Sequence, residues 1–563
     1  MLEFDQSLFR LTWIHKDTEG FSEGSDASTP RIASRLRLSL GRQNVACNRV
    51  LVPRSQSVLF ERQQPHIKEN FVERRWKVGD LVVWTVLAAG VVLALIQYLS
   101  NRSLWVDEAA LGLNILDRSF GGLLKPLDYS QVAPILFLWA EKALSLLNPN
   151  TELTLRLLPL LAWCGSLFLF LGILKKVISN QAVIVFALAL FAFDPVLLRY
   201  SSELKQYMCD VLLATAVAYL LLHGTLRHRL LLLGLTGVLG IGFSNIAPIV
   251  LLSAGGFLVY EYFAEKRLPL SRLLILAVIW CATFLLYYSA FINHHPTQAF
   301  MDQVWGRSGA FTPWNPLHPD FWHFFKKAAD TLLNGLLNFR SVFKYLFPLF
   351  LALGLFAVAR EKKIGVALIF LLPVVFHILV SGFRLYPFAT RLVLYLAPAM
   401  LVLVSLGLEY GVSLLFPNNR VAVAWGAVSA LILAALVLTW RQGFPFQNEE
   451  IKKSMDYISA NVQSGDQVYV DGDANRAMQY YQHIGYPLPS AVIYGPWQSD
   501  QEAQQLLALG GRVWLIFTHL HKDNDKHILN LLASRGAVPE KAFQTVGSQT
   551  YLFHLPPPVG TAK

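Results

Sequence analysis

Residues 81–110 read LVVWTVLAAGVVLALIQYLSNRSLWVDEAA, a long apolar run followed by two adjacent carboxylates. The run Leu81–Leu99 approaches the ~20 apolar residues that cross the hydrocarbon core of a bilayer. Asp107 and Glu108 therefore fall just outside the membrane. Charges so close to a bilayer are costly unless they are solvated, paired or used. The stretch predicts a membrane-anchored chain with a reaction centre at the membrane–water boundary.

Composition also indicates a membrane protein. Of the 563 residues, 54% are hydrophobic and only 15% are charged, with a mean hydropathy of +0.43. Soluble proteins rarely combine these values. The net charge of +11 lies mostly in short loops and in the N-terminal tail, which is typical of segments beside anionic membrane lipids and not of a nucleic-acid partner. The sequence therefore predicts a polytopic α-helical membrane protein.

About eleven transmembrane helices are predicted from the lengths of the apolar runs. The run from 230 to 260 is long for one span and short for two. Basic residues at 227–229 precede it and others at 266–272 follow it, and both clusters favour the cytoplasm, so two short spans are needed. The predicted spans are Leu81–Leu99, Leu153–Leu174, Val177–Phe193, Met208–Leu222, Leu230–Phe243, Ile246–Tyr260, Leu273–Phe291, Val342–Val358, Ile364–Val380, Leu392–Leu415 and Val421–Trp440.

The orientation is predicted from the other basic clusters. Residues 74–77, 175–176, 360–363 and Arg420 all fall on one side of the predicted spans, and Lys and Arg mark the cytoplasmic side. The chain is therefore expected in the plasma membrane with its N-terminus in the cytoplasm and its C-terminal part outside. The predicted outer segments are 100–152, 194–207, 292–341, 381–391 and everything after 441.

Three regions differ in their patterns. Residues 1–78 are basic and lack apolar periodicity, which predicts a largely disordered cytoplasmic tail. Residues 79–440 hold the spans. Residues 441–563 alternate strand and helix patterns, which predicts a small C-terminal α/β domain without a glycine-rich phosphate loop. Its predicted strands are Gln467–Val470, Ala491–Tyr494 and Arg512–Phe517, and its predicted helices are Glu449–Val462, Asn475–His483, 499–509 and 524–535.

The acid pair Asp107-Glu108 has two interpretations. A carboxylate can accept the proton of an attacking hydroxyl, so the pair could supply a general base and a group that orients the acceptor. Alternatively, acids in the first turn of a helix interact favourably with the helix dipole and need no further function. An acid pair is common, and by itself it does not decide between the two.

The surroundings of the pair are more specific. Pro134 leads an amphipathic stretch, 135–147, whose Glu141 and Lys142 favour a position along the interface rather than across the bilayer. Arg156 then opens the second span. Together these features resemble the GT-C membrane glycosyltransferases, and most nearly glycosyltransferase family 39, which includes the protein O-mannosyltransferases and the lipid A aminoarabinose transferases.

Two later outer segments also fit this resemblance, which covers roughly residues 80–440. The family often has two adjacent prolines before the interfacial helix, whereas Ala133-Pro134 stands here, which leaves the class unchanged but not necessarily the shape of the loop. The two later segments are Phe193-Asp194-Pro195 with Arg199-Tyr200-Ser201, Glu203, Lys205, Gln206 and Tyr207, and Tyr386-Pro387 with Arg391, Tyr395 and Pro398.

The resemblance implies a sugar donor linked to polyprenyl phosphate and an acceptor glycan, lipid or protein on the outer face, usually with inversion. It maps the proposed base onto Asp107, with Glu108 orienting the acceptor or shaping the site. Arg binds phosphate through a bidentate fork and Lys adds a point charge, although snorkelling at helix ends is the alternative for these cations. The candidate substrate-binding residues are Arg199, Tyr200, Lys205, Tyr207, Tyr386 and Arg391.

The sequence indicates no certain cofactor and no metal site. His294, His295, His318 and His323 are irregularly spaced, and the first outer loop lacks Asp-x-Asp, so the metal-dependent oligosaccharyltransferase branch is less expected. The four cysteines form no CxxC and no Cys/His cluster. Asp194 is either a second acid of the same site or part of a helix-ending Asp-Pro turn.

Two other functions remain open. A ligase or polymerase of lipid-linked glycans would share the lipid-phosphate chemistry without depending on the Asp-Glu pair. A transporter or flippase would be expected to show inverted repeats and charges at the bilayer midplane. The chain shows no internal repeat, and its acid pair lies at the boundary, so a glycosyltransferase is favoured.

Overall fold

The structure is a computed structural model. The predicted tail up to residue 64, part of the predicted helix 499–509, and His295 lie outside the residues that it describes. In the first helix, side chains are described from Gly79 onwards. Residues 78–563 form one compact unit. The structure describes residues 65–148, 152–266, 268–294, 303–335, 345–417, 420–487, 492–495, 505–506, 508–519, 524–537 and 539–555.

Helices dominate the described part of the chain. A 3₁₀ turn over Thr390–Leu396 carries Arg391 and leads directly into the helix Ala397–Leu415. The α-helices are α1 (Pro65–Leu99), α2 (Val106–Asp117), α3 (Ile135–Ser145), α4 (Glu152–Val177), α5 (Gln181–Phe193), α6 (Pro195–Tyr200), α7 (Tyr207–Leu222), α8 (Leu226–Phe243), α9 (Ala247–Tyr260), α10 (Leu270–Ala290), α11 (Pro319–Asp330), α12 (Leu346–Arg360), α13 (Ile364–Gly382), α14 (Ala397–Leu415), α15 (Arg420–Arg441), α16 (Ile451–Asn461), α17 (Asn475–His483) and α18 (Asn524–Ser534).

The predicted membrane-spanning architecture is confirmed. Seven segments of the described chain are long and apolar enough to cross a membrane, and shorter apolar helices lie at Gln181–Phe193, Tyr207–Leu222, Leu346–Arg360 and Val423–Ala434. Each predicted span coincides with one of them. The ambiguous run from 230 to 260 forms α8 and α9, which are separated by a short break at 244–246. The seven longer segments are Gly79–Leu99, Glu152–Val177, Leu226–Phe243, Ala247–Glu265, Leu270–Ala290, Ile364–Gly382 and Thr390–Leu415.

The helices differ in depth within the bundle. Every residue of α5 except its first is buried, and so is most of α14, whereas only Leu276 and Trp280 of α10 are buried. Helices α12 and α14 cross closely at Gly354 and Gly407. A Cβ atom on Gly407 would lie 1.7 Å from the carbonyl oxygen of Phe350, so only glycine permits this approach between the two backbones.

The predicted C-terminal α/β domain is also confirmed. Its five-stranded sheet has the order β2-β1-β3-β5-β4. Strand β1 pairs in parallel with β2 and β3, and β5 pairs antiparallel with β3 and β4. The strands are β1 (Gln467–Val470), β2 (Val492–Tyr494), β3 (Gly511–Thr518), β4 (Pro539–Thr545) and β5 (Ser548–Leu555).

The hairpin of β4 and β5 is absent from the sequence-based prediction. Its two-residue turn, Val546-Gly547, lacks the Asn-Gly or Asp-Gly pair that announces most tight hairpins. Gly547 has a φ of +64°, and a Cβ atom there would lie 2.0 Å from the backbone oxygen of Asn448. Packing against the segment before α16 therefore fixes this turn, and that contact is not visible in the local sequence.

Contacts from the end of α1 and from α2 join the membrane part of the chain to the C-terminal domain. The Gln97 side chain, at the end of α1, donates to the Phe446 carbonyl (2.9 Å) and accepts from the Phe446 N–H (2.7 Å). Helix α2 packs on α17, where a Cβ atom on Gly112 would lie 2.9 Å from the Tyr480 ring. The sheet domain therefore lies directly against the loop that carries the acid pair.

Candidate active site

The acid pair occupies the first turn of α2. Trp105 is the N-cap residue, and its N–H lies 3.4 Å from Glu108 Oε2. Carboxylates at this position interact favourably with the helix dipole. Successive helical residues point about 100° apart, so Asp107 and Glu108 face different surroundings.

Glu108 points into the protein and is fully buried. Arg102 Nη1 lies 2.6 Å from its Oε2, and Arg156 approaches the carboxylate through Nη2 at 3.1 Å and Nε at 3.2 Å. The Leu204 N–H donates to Oε1 at 2.8 Å. Burial raises the pKa of Glu108, but the two guanidinium charges outweigh it and lower the pKa to about 2. Glu108 is therefore an ionised anchor that joins three separate segments.

Asp107 points the other way and keeps 27% of its side chain exposed. Its Oδ2 accepts a hydrogen bond from Arg391 Nη2 at 3.0 Å. Burial raises the pKa of Asp107, but the charges of Lys205 and Arg391, with a hydrogen bond from Gln131, outweigh burial and lower it. Asp107 is thus an ionised carboxylate that a ligand can reach.

Arg391 is held by two aromatic rings. Its guanidinium carbon lies 5.4 Å from the centre of the Trp105 ring and 5.8 Å from that of Tyr207, distances that permit cation–π attraction. With 26% of its side chain exposed, Arg391 presents a fixed fork of N–H donors beside Asp107. Snorkelling does not describe this position, because the guanidinium is paired and stacked inside the protein.

Lys205 supplies a second cation near the same carboxylate. Its Nζ donates to Gln131 Oε1 at 2.7 Å, and only 6% of the residue is exposed. Burial lowers the pKa of Lys205, and the charge of Asp107 opposes this shift. Gln131 belongs to the loop before α3, so the ammonium group lies between that loop and the one after α6.

The other predicted substrate-binding residues are placed at different depths. Tyr200 packs edge-on against Tyr207, with ring centres 5.4 Å apart. Tyr386 lies beside His377 at 5.6 Å, and its buried hydroxyl has no hydrogen-bond partner within the described residues. Arg199 is exposed to solvent. The structure therefore gathers Tyr200 and Tyr207 with the charged group, places Tyr386 deeper, and leaves Arg199 at the surface.

Asp194 forms the cap that its Asp-Pro context favours. Its Oδ1 accepts from the Leu197 N–H at 2.8 Å at the start of α6. His318 similarly caps α11 by accepting from the Asp320 N–H at 3.3 Å. Within the described ranges, no group of three His, Cys, Asp or Glu residues is placed to hold a metal ion.

Sequence reasoning missed several residues around the acid pair. Arg102, which binds Glu108, had a recognisable signal, since a basic residue in a predicted outer segment departs from the positive-inside pattern. For Gln131 the sequence offered no signal beyond its place in the loop before Pro134. The C-terminal domain contributes Glu449, Glu450, Tyr481 and His519, whose contacts depend on tertiary structure.

No protein-family model and no curated protein matches the chain. Among solved structures, it is similar to ArnT from Cupriavidus metallidurans in the apo state, with 12% identity, a TM-score of 0.46, and coverage of 85% of this chain and 98% of that one. It is also similar to the Archaeoglobus fulgidus oligosaccharyltransferase in complex with Zn and sulfate (14% identity, TM-score 0.47, 76% of this chain and 67% of that one).

A third similar structure is the arabinofuranosyltransferase AftD from Mycobacteria, with 15% identity, a TM-score of 0.44, and coverage of 85% of this chain and 40% of that one. At 12%, 14% and 15% identity, these three similarities concern the fold alone.

Proposed function

We propose that this chain is a membrane glycosyltransferase that moves a sugar from a polyprenyl-phosphate donor to a hydroxyl of a glycan, lipid or protein at the outer face. One observation carries the proposal. A reachable carboxylate, Asp107, lies 3.0 Å from Arg391 and near Lys205, beside the end of the first span. A base for a hydroxyl and a cation pair for a phosphate therefore share one site at the membrane boundary.

The chemistry follows from these charges. Asp107 accepts the proton of the acceptor hydroxyl as the hydroxyl oxygen bonds to the anomeric carbon of the sugar. The bond from that carbon to the phosphate oxygen breaks, and polyprenyl phosphate leaves with the electron pair. Arg391 and Lys205 stabilise the negative charge that develops on this leaving group. The polyprenyl tail would lie between the spans.

The ion pair between Asp107 and Arg391 also sets the sequence of steps, because the donor must bind before Asp107 is free to act as a base. In the free protein the Arg391 guanidinium donates a hydrogen bond to a carboxylate oxygen of Asp107 at 3.0 Å. A bound phosphate competes with Asp107 for the same N–H donors of Arg391. The phosphate is favoured because arginine binds it through two charge-assisted hydrogen bonds. Donor binding thus releases Asp107 at the moment when a base is needed.

The proposal includes an orientation. Eleven spans with a cytoplasmic N-terminus would place α2, Arg391 and the C-terminal sheet on the outer side, and the contacts among these three elements support a shared side. A reporter fused after Arg420 is expected to read cytoplasmic and one after Lys563 external. A cytoplasmic C-terminus would contradict this orientation.

The function is tested by mass spectrometry of lipid-linked sugars and surface glycans in a strain that lacks the gene. A glycosyltransferase is expected to leave accumulated donor and a missing sugar. Purified protein in detergent should then transfer that sugar from the isolated donor. A transporter needs two compartments and would show no transfer in detergent, whereas a ligase would transfer a whole lipid-linked glycan.

Arg391→Lys and Arg391→Ala are both expected to weaken the binding of undecaprenyl phosphate. The loss should be about 1.5–3 kcal/mol, the scale of a charge-assisted hydrogen bond, and Lys should not rescue because a point charge cannot replace the bidentate fork. Titration of the lipid in detergent measures this loss, with Arg118→Ala as the control; Arg118 is a half-buried arginine of the same predicted outer loop that pairs with the exposed Asp128. If both variants bind like wild type, Lys205 or Arg199 takes the phosphate-binding role.

A further inference from the structure

The strand of backbone that leads into Asp107 is held mainly by the C-terminal domain. The Ser103 N–H lies 3.3 Å from Glu450 Oε1, and the Leu104 N–H donates to the Tyr481 hydroxyl at 2.8 Å. The Val106 N–H donates to Glu449 Oε2 at 3.1 Å. Three of four consecutive amides therefore bind residues some 350 positions later in the chain.

The contact from Glu449 is the nearest of these to the candidate base. Val106 is the first residue of α2 and directly precedes Asp107. The first amides of a helix have no partner within the helix, and a carboxylate that accepts one also interacts favourably with the positive end of the helix dipole. Glu449 therefore fixes where the first turn of α2 begins.

Glu449 is in turn held by His519, which follows β3. His519 Nδ1 lies 2.6 Å from Glu449 Oε1, and the imidazole stacks on Trp105 with ring centres 6.2 Å apart. The φ of His519 is +54°, a left-handed conformation that is uncommon for residues other than glycine. Arg391 lies over the same Trp105 ring at 5.4 Å. One indole thus contacts both the C-terminal histidine and the arginine beside Asp107.

Three carboxylates face this imidazole. They belong to Glu449 before α16, Asp473 after β1 and Asp107 on α2. Burial lowers the pKa of His519, but the hydrogen bond and charge of Glu449, with Asp473 and Asp107, outweigh burial and raise it. Burial and the neighbouring Asp471 raise the pKa of Asp473 to about 6.

We propose that Glu449 and His519 are positioning residues for Asp107: the C-terminal sheet holds the first turn of α2 through this pair, and so sets the direction from which Asp107 meets the acceptor. This inference rests on the proposed function. A displacement of about 1 Å in a reacting group can cost 10²-fold in rate, so Glu449→Ala should lower kcat by about 10- to 100-fold. Binding of undecaprenyl phosphate should stay unchanged, because Arg391 and Lys205 remain.

The conservative variants separate hydrogen bonding from charge. Glu449→Gln keeps a carbonyl oxygen for the Val106 N–H, and His519→Gln keeps an N–H donor for Glu449. Both should recover most of the activity that Glu449→Ala and His519→Ala lose. Asp466→Asn is the matched control, because the side chain of Asp466 binds Arg512, Trp514 and the Gln463 N–H beside the opposite end of β1, and none of these described contacts involves a residue near Asp107.

The experiment combines hydrogen exchange with transfer assays on the full-length protein in detergent. The assay uses the accumulated donor and the envelope fraction of the deletion strain as acceptor. Exchange of the Val106 amide should rise at least tenfold in Glu449→Ala and stay as in wild type in Asp466→Asn. The Trp105 amide, bonded to Glu108, is an internal reference.

The proposal is overturned if the Val106 amide of Glu449→Ala exchanges like wild type, or if Asp466→Asn lowers kcat as much as Glu449→Ala does. It is also overturned if Glu449→Gln does not recover activity while its amide protection is restored. If wild-type protein transfers no sugar at all, the proposed function fails, and the exchange result alone then decides whether the pair holds α2.

Discussion

Asp107→Asn is expected to lower kcat by about two to four orders of magnitude, the usual contribution of a general base, while the protein stays folded. The amide has the same shape as the carboxylate but cannot accept the proton of the acceptor hydroxyl. Asp107 keeps 27% of its side chain exposed and lies outside the buried Glu108 cluster. Its loss should therefore affect the chemistry more than the fold.

Lipid binding provides the second readout for this variant. Because Asp107 occupies one N–H donor of Arg391 at 3.0 Å, undecaprenyl phosphate should bind Asp107→Asn at least as tightly as wild type. Asp117→Asn, at an exposed position on the same helix, is the control and should transfer normally. Near-normal transfer by Asp107→Asn would remove the base assignment and leave the phosphate site standing.

The membrane part of the fold is readable from sequence because its main cause is local. Each span needs a continuous apolar run, and its backbone hydrogen bonds must form within the helix. Hydropathy and flanking basic residues therefore suffice to predict the apolar helices that the structure contains. Even α8 and α9 are separated correctly by the basic residues around them. The β4–β5 hairpin depends on Gly547 packing against Asn448, which no local pattern announces.

The candidate site is only partly predictable from the sequence, because most of its contacts join residues that are far apart in the chain. The sequence nominates Asp107 and Arg391 by residue type and place, and the structure brings them to 3.0 Å across 284 positions. The sequence alone cannot show which acid of the pair faces outward, because that depends on where Arg102 and Arg156 lie around Glu108. Nor can it connect His519 with α2, since that contact needs the sheet to be folded and docked.

The two acids illustrate how environment divides roles between neighbouring residues. Both belong to one helical turn and both have a lowered pKa. Glu108 is fully buried and enclosed by two guanidinium groups and a backbone amide. Asp107 keeps 27% of its side chain exposed and binds Arg391 at 3.0 Å, and under the proposed function a phosphate would take its place on that arginine.

Glu108→Gln is expected to destabilise the protein by about 3–5 kcal/mol, the cost of removing one partner of a buried ion pair. Arg102 and Arg156 are 2% and 1% exposed, so both charges would stay buried without the carboxylate that compensates them. The thermal midpoint in detergent, followed by intrinsic fluorescence, measures this loss. Turnover per folded molecule should fall less than in Asp107→Asn, because Glu108 does not face the acceptor.

The pH dependence has a definite sign. A carboxylate whose pKa is lowered on folding stabilises the protein above its unfolded pKa of about 4.3, and this contribution disappears as the pH falls towards about 2, the folded value. The difference between wild type and Glu108→Gln should therefore stay constant from pH 5 upwards, roughly the region in which both states are ionised, and shrink in acid.

Glu141→Gln is the matched control for Glu108→Gln. Glu141 on α3 is also fully buried, and its carboxylate oxygens have no hydrogen-bond partner in the described part of the chain. Burial raises its pKa well above the usual value and so favours the uncharged carboxyl, and we expect an amide to replace it at little cost. A melting point equal to wild type in both variants would show that the two arginines do not need Glu108, and that another group holds the first outer loop against α4.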